Sequence, residues 1–232
     1  MLQEHAPTEE VVVTKMPSWS SWRARTWFCL IAFLLSSLTA YANPDEVLEY
    51  AGFELPEGTD ADKWKALQSA IEEEHEVITA CRSDLTTCPS SAARRFVAIV
   101  DEGMQHDGKA RIGHINRAAN LAIRATKKYV EQWTSPLQTL ANGVGDCKQY
   151  AVLKYVALNE AGYRADRLRI LVVEDKVTRW SHAVVAVSSH GQWMVLDNRS
   201  NVLIEGADFL KQYTRVAVLP PLLQFSLALK DK

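Results

Sequence analysis

The sequence predicts an α+β fold in which a helical N-terminal part packs against an antiparallel sheet. Two observations point there: over residues 62–160 apolar positions recur at three- and four-residue steps, whereas over 166–219 they alternate. A third bounds the size. The chain has 232 residues, 47% hydrophobic and 23% charged, enough for one sizeable core, so 43–232 is read as a single domain. A formal net charge of −2 implies no strongly basic face, and nucleic acid is not expected as a partner.

The first 42 residues read as an export signal. Arg23 and Arg25 precede the apolar run from Trp27 to Leu35, and Ala40-Tyr41-Ala42 has the small-x-small form of a signal-peptidase site. The run is too short for a comfortable membrane span. Cleavage near Ala42 and a periplasmic or secreted product are expected, with an uncleaved anchor as the alternative. Glu4, Glu9 and Glu10 are unusual in such a leader, and a start at Met16 would remove them. Cys29 would leave with the signal. Cys81 and Cys88 enclose six residues and precede Pro89, a spacing that suits a disulfide in an oxidising compartment. Cys147 is then the odd thiol.

Residues 43–58 carry no motif and read as an irregular arm. A first helix follows from Asp62 to Ala80, with Trp64, Leu67, Ile71 and Ile78 inward and Glu72, Glu73, Glu74 and Glu76 forming a solvated acidic side. Ser90 and Ser91 suit the cap of a second helix, through Phe96, Ile99, Val100 and Met104, that stops near Gly108. A third is expected from about Lys109 to Val130, its Arg and Lys residues outward. His75, His106 and His114 lack companions at metal-ligand spacing. Ser135, Pro136 and Gly143 punctuate a short fourth helix as cap, first residue and stop.

Gly143 and Gly145 allow a tight turn, or a close-lying substrate backbone, just before the next helix. That helix is capped by Asp146, carries Tyr150, Ala151, Lys154, Tyr155 and Leu158 at helical spacing, and ends at Gly162. Cys147 falls in its first turn, where unpaired N–H groups and the helix dipole favour a thiolate. A small buried hydrophobe is the other reading of a lone cysteine there. Strands are expected over 167–173, 182–187, 193–197 and 216–219.

The strands around Gly191 form a hairpin. If the turn centres on His190-Gly191, facing residues have numbers summing to 381, so Asp197 faces Val184 and lies diagonally from His182. Diagonal neighbours stand about 7–8 Å apart, close enough for a carboxylate to reach an imidazole and leave its other nitrogen for a thiol. A one-residue slip would put the two on opposite faces. The order Cys147, His182, Asp197, with the cysteine on a helix and its partners on an antiparallel sheet, is the arrangement of papain-like and transglutaminase-like enzymes. In that arrangement the thiol attacks a carbonyl, the histidine moves the proton, and the carboxylate orients the ring. The Cys147 N–H is one donor for the oxyanion.

Three blocks carry a resemblance: Gly145-Asp146-Cys147 with Tyr150, Ala151, Lys154, Tyr155, Ala157 and Leu158; Ser181-His182-Ala183-Val184; and Val195-Leu196-Asp197-Asn198. Together they resemble the bacterial transglutaminase-like cysteine proteinases, across roughly Gly113 to Leu219. The resemblance implies Cys147 as nucleophile, His182 as general base and Asp197 as orienting acid, with Asn198 the weaker candidate for the third role. It also implies a protein substrate such as a surface adhesin, and a membrane-bound regulator. Some members bind calcium through acidic residues beside the cysteine. Here Lys148 and Gln149 stand there, leaving Asp146 alone, so neither calcium nor another cofactor is expected. Trp133 and Trp180 are candidates for lining a cleft, with aromatic packing as the alternative. A thiol peptidase is the leading reading. Crosslinking or amide hydrolysis by the same residues, or a binding module that kept the fold, are its alternatives.

Overall fold

The computed structural model describes Leu48 and residues 52–55, 61–126 and 132–223, all within a unit spanning 42–232. The expected leader and its cleavage site lie outside the described residues. The order is α1 (Ala61–Ser83), α2 (Ser91–Met104), α3 (Gly108–Ala122), β1 (Arg124–Ala125), α4 (Pro136–Asn142), β2 (Val144–Gly145), α5 (Cys147–Glu160), β3 (Leu168–Asp175), β4 (Ser181–Ser189), β5 (Gln192–Leu196), β6 (Ile204–Glu205), α6 (Gly206–Leu210) and β7 (Tyr213–Val218). A turn of 3-10 helix, Ala165–Arg167, leads into β3. The α+β expectation holds, with the helices N-terminal to a five-stranded antiparallel sheet ordered β6-β5-β4-β3-β7.

Strand alternation divides the sheet into two apolar faces. Leu168, Ile170, Ala183, Val185, Val187, Met194 and Leu196 join the large core built with the helices. Leu171, Val173, Val184, Ala186, Trp193 and Val195 form a second core with Phe209 of α6, Tyr213 and Leu48. The described parts of the 43–58 arm, Leu48 and residues 52–55, are placed against the sheet. Leu48 is buried in the second core, and Phe53 makes a parallel bridge to Val218 on the outer side of β7. Glu54 N–H donates to the Val218 carbonyl at 2.9 Å.

Two more expectations change. The third helix ends at Ala122, eight residues before the expected Val130, because Ile123 is extended (φ −134°, ψ 160°). Its end is held from outside. The Arg95 guanidinium donates to the Ala122 carbonyl, Tyr150 Oη donates to the Ile123 carbonyl at 2.8 Å, and β1 then pairs in parallel with β2. The acidic side of α1 is not uniformly solvated either. Glu74 is partly buried and accepts from Ser135 Oγ, the Leu137 N–H at 2.8 Å and the Gln138 N–H at 3.2 Å. It closes the N-terminus of α4 from another helix, while Ser135, expected as the cap, makes no side-chain cap bond.

Cys81 at the end of α1 and Cys88 are disulfide-bonded, with Cα atoms 4.6 Å apart. A loop this short is worth about 2 kcal/mol by closure entropy. Cys81→Ala with Cys88→Ala is expected to lower the melting temperature by about 4–8 °C. An unchanged melting curve would show that the link contributes nothing to the folded state.

Candidate active site

The thiol is placed by the helix that begins with it. Asp146 caps α5 through its own carboxylate, Oδ1 accepting from the Lys148 N–H at 2.9 Å, while Gln149 Oε1 accepts from the Asp146 N–H at 2.9 Å. Gly143 makes the preceding turn in the left-handed region (φ 65°). Gly145 is needed for a different reason. A Cβ there would stand 2.7 Å from Gln149 Cβ and 3.2 Å from Ile123 Cδ1, so its missing side chain makes room for the cap and for β1, not for a ligand. At the other end the Gly162 N–H donates to Asn159 and the Tyr163 N–H to Leu158, at 2.9 and 3.0 Å, and Gly162 has φ 95°.

The hairpin has the expected register. Val185 faces Leu196 and Ser189 faces Gln192, and both turn residues, His190 and Gly191, have positive φ (52° and 77°). His182 Nε2 and Asp197 Oδ1 are 2.9 Å apart, with only 2% and 5% of the two residues exposed. Because β5 stops at Leu196, the first residues of β4 have no strand on that side. Cys147 stands there. The His182 side chain and the Ala183 backbone N–H both act on its sulfur.

Electrostatics favour charge separation between sulfur and ring. Burial alone would push the thiol up, but the His182 and Ala183 hydrogen bonds and the imidazolium charge bring it below its ordinary value. His182 shows the converse. Burial pulls it down, and its hydrogen bonds to Asp197 and Cys147, with the Asp197 charge, raise it overall. Asp197 is pushed up by burial and brought down further by His182 and by the Arg199 N–H, which donates to Oδ1 at 2.8 Å. A thiolate beside an imidazolium is the state these shifts favour.

Sequence reasoning missed the supports of the acid. From α3, Asn120 Nδ2 donates to the Asp197 and Ser200 carbonyls at 3.2 and 3.0 Å, and Asn116 Nδ2 to the Ser200 carbonyl at 2.9 Å. Asparagines on a helix give no sequence signal for a contact some eighty residues away. Asn198, the weaker candidate for the acid, takes no part in the His182 bond. Trp133 is half-buried and packs edge to face on Trp64, ring centroids 5.5 Å apart. Trp180, two residues before His182, is 76% exposed.

The residues beside the thiol do not fit a calcium ion. Lys148 Nζ lies 2.9 Å from Asp146 Oδ2, the other Asp146 oxygen serves the helix cap, and Gln149 Nε2 donates to the Gln132 carbonyl at 2.6 Å. An ammonium occupies the side where a second carboxylate would be required.

The sequence profile of the bacterial transglutaminase-like cysteine proteinases matches residues 72–215. No curated protein matches the chain significantly. Among solved structures, Legionella pneumophila LapG is similar at 19% identity over 60% of this chain and 80% of that one, TM-score 0.49. Its calcium-bound form is similar at 20% identity over 62% and 81%, TM-score 0.46. A structure described as that of a TGase is similar at 10% identity over 75% and 38%, TM-score 0.35.

Proposed function

The chain belongs to the bacterial transglutaminase-like cysteine proteinase family, and from that premise we propose that it is an exported thiol peptidase cleaving a peptide bond in a periplasmic or cell-surface protein. It is a cysteine peptidase by family. The roles of Cys147, His182 and Asp197, the substrate and the compartment are this proposal's own. The observation that carries it is the buried His182–Asp197 pair set against a thiol whose pKa is lowered. The disulfide supports export.

In this reading the Cys147 thiolate attacks the scissile carbonyl carbon, and the carbonyl oxygen takes the negative charge beside the Cys147 N–H at the start of α5. The imidazolium of His182 then gives its proton to the departing amine, leaving a thioester. Water, deprotonated by the neutral ring, hydrolyses that thioester and restores thiolate and imidazolium. Asp197 holds Nε2 throughout, which presents the other ring nitrogen to sulfur and substrate. Trp180 is the candidate contact for an apolar substrate side chain, since nothing in the fold requires an exposed indole there.

The test is a complex peptide library derived from exported proteins, incubated with the disulfide-intact protein and read for new N-termini. New termini are expected, absent with Cys147→Ala and undiminished by EGTA. Incorporation of an added primary amine without new termini would replace hydrolysis by acyl transfer. Loss of activity in EGTA would overturn the reading of Lys148 and Gln149. No reaction of either kind would leave a fold kept for binding.

A further inference from the structure

Helix α5 carries a lysine on the face that bears the thiol. Lys154 stands seven positions after Cys147, about two turns and 10 Å along the axis, with Tyr150 and Ala151 between them. It is 1% exposed, and its Nζ has no hydrogen-bond partner among the described residues. Its Nζ lies 5.8 Å from the centroid of the Tyr150 ring. A lysine fully enclosed without a hydrogen bond is rare, because the ammonium loses its hydration and gains nothing local. Burial pulls its pKa down to about 7, and the Asp197 carboxylate opposes that pull.

The charge of the neighbouring group explains why such a lysine is kept. Thiol, neutral imidazole and carboxylate carry one net negative charge. So do thiolate, imidazolium and carboxylate. Moving the proton between sulfur and ring therefore leaves a buried anion in either state, and a buried anion calls for a cation. Arg199 acts on Asp197 but is exposed. Of the other cations on α2, α3 and β3, Lys109 and Arg117 of α3 are exposed, and the remaining arginines are engaged elsewhere. Arg95 of α2 serves the Leu140 and Ala122 carbonyls, and Arg111 of α3 serves Ala161 and Asp107. Arg169 of β3 serves the Asp166 and Leu168 carbonyls and lies over the Phe53 and Trp193 rings. Glu174 of β3 pairs with Arg179, and Asp197 is the carboxylate whose charge acts on Lys154.

We propose that Lys154 is the buried counter-ion of the Cys147–His182–Asp197 group, a positioning residue that acts through Asp197 to favour the ionised, net negative group over its acid-side, fully protonated form. The inference rests on the catalytic reading above. Its sign is fixed by electrostatics. A cation beside the group favours loss of a proton from it, so without that cation both the thiol and the ring hold their protons to higher pH.

Lys154→Met keeps length and removes charge. Alkylation of Cys147 by iodoacetamide, followed from pH 4 to 10, is expected to shift its midpoint upward by about one unit, with roughly threefold slower reaction on the acid limb and a plateau raised about threefold. A midpoint equal to wild type, with only stability altered, would overturn the proposal. Should the variant not fold, the 13Cε resonance of Lys154 is followed by NMR in wild type and in Asp197→Asn. Its titration is expected to fall by a unit or more when the carboxylate goes, and equal midpoints would overturn the proposal. The two readings fail differently. If wild-type Cys147 reacts as an ordinary thiol and His182→Ala changes nothing, the catalytic reading falls. If wild type is activated and Lys154→Met is indistinguishable from it, the counter-ion role alone falls.

Discussion

His182→Ala is expected to slow alkylation of Cys147 at pH 6 and to lower peptide turnover by about 100- to 10,000-fold. An ordinary thiol of pKa about 8.5 is only about 0.3% thiolate at pH 6, so any lowering of the Cys147 thiol raises its reactive fraction there. A low-pKa thiolate is a weaker nucleophile, which offsets part of that gain. Turnover falls further because the ring also protonates the leaving amine, a step alkylation does not require. The pH profile follows from the shifts. Activity rises as the lowered thiol ionises on the acid side and falls as the raised imidazolium loses its proton on the alkaline side. Asp197→Asn retains an oxygen for Nε2 and removes the charge that raises the ring, so it should move the alkaline limb to lower pH. Alkylation profiles and steady-state rates across pH check both variants. A wild-type thiol that ionises near 8.5, or an alkaline limb that Asp197→Asn leaves in place, would contradict this account.

Glu74→Ala is expected to destabilise the fold by about 2 kcal/mol, or roughly 4–8 °C in melting temperature, although Glu74 lies far from the thiol in sequence. The substitution leaves the first N–H groups of α4 and the Ser135 hydroxyl without their shared acceptor. That figure allows for partial solvation of the site. Glu74→Gln keeps an acceptor and should lose less. Burial dominates the ionisation of Glu74 and raises it, despite the hydrogen bonds from Ser135, Leu137 and Gln138 that oppose the rise. A raised carboxyl gives stability that is complete below its unfolded value of 4.5 and lost as pH rises through the folded value. Wild type should therefore show a fall in stability just above pH 4.5 that Glu74→Gln lacks. Denaturant unfolding across pH 4 to 7 measures it, and parallel curves for the two proteins would refute it.

What could be read from sequence was what local rules govern. Asp146 at the start of α5, Gly162 at its end and the turn at His190-Gly191 each act within a few residues. The turn then determined which residues face one another as far as Leu196, one residue short of Asp197. What escaped was set by long-range contacts. Glu74 looked like one more acid on a solvated side, because its partners at Ser135, Leu137 and Gln138 come from another helix. The end of α3 at Ala122 is held by Arg95 and Tyr150, neither adjacent in sequence. The β1–β2 pair is two residues long on each side, too short for any period. Lys154 fitted the helical spacing, but spacing does not tell a buried lysine from one whose stem lies along the surface.

The arm that packs Leu48 and Phe53 has a bearing on solubility. A sheet with an open margin offers unpaired amides to any passing strand, and a second copy of the same chain is the most abundant candidate. One margin here is β6, only two residues long, and the other is β7, where Phe53 and Glu54 already occupy the Val218 end. The arm therefore narrows the template for outward growth at the Val218 end of β7, a selvedge on that part of the margin.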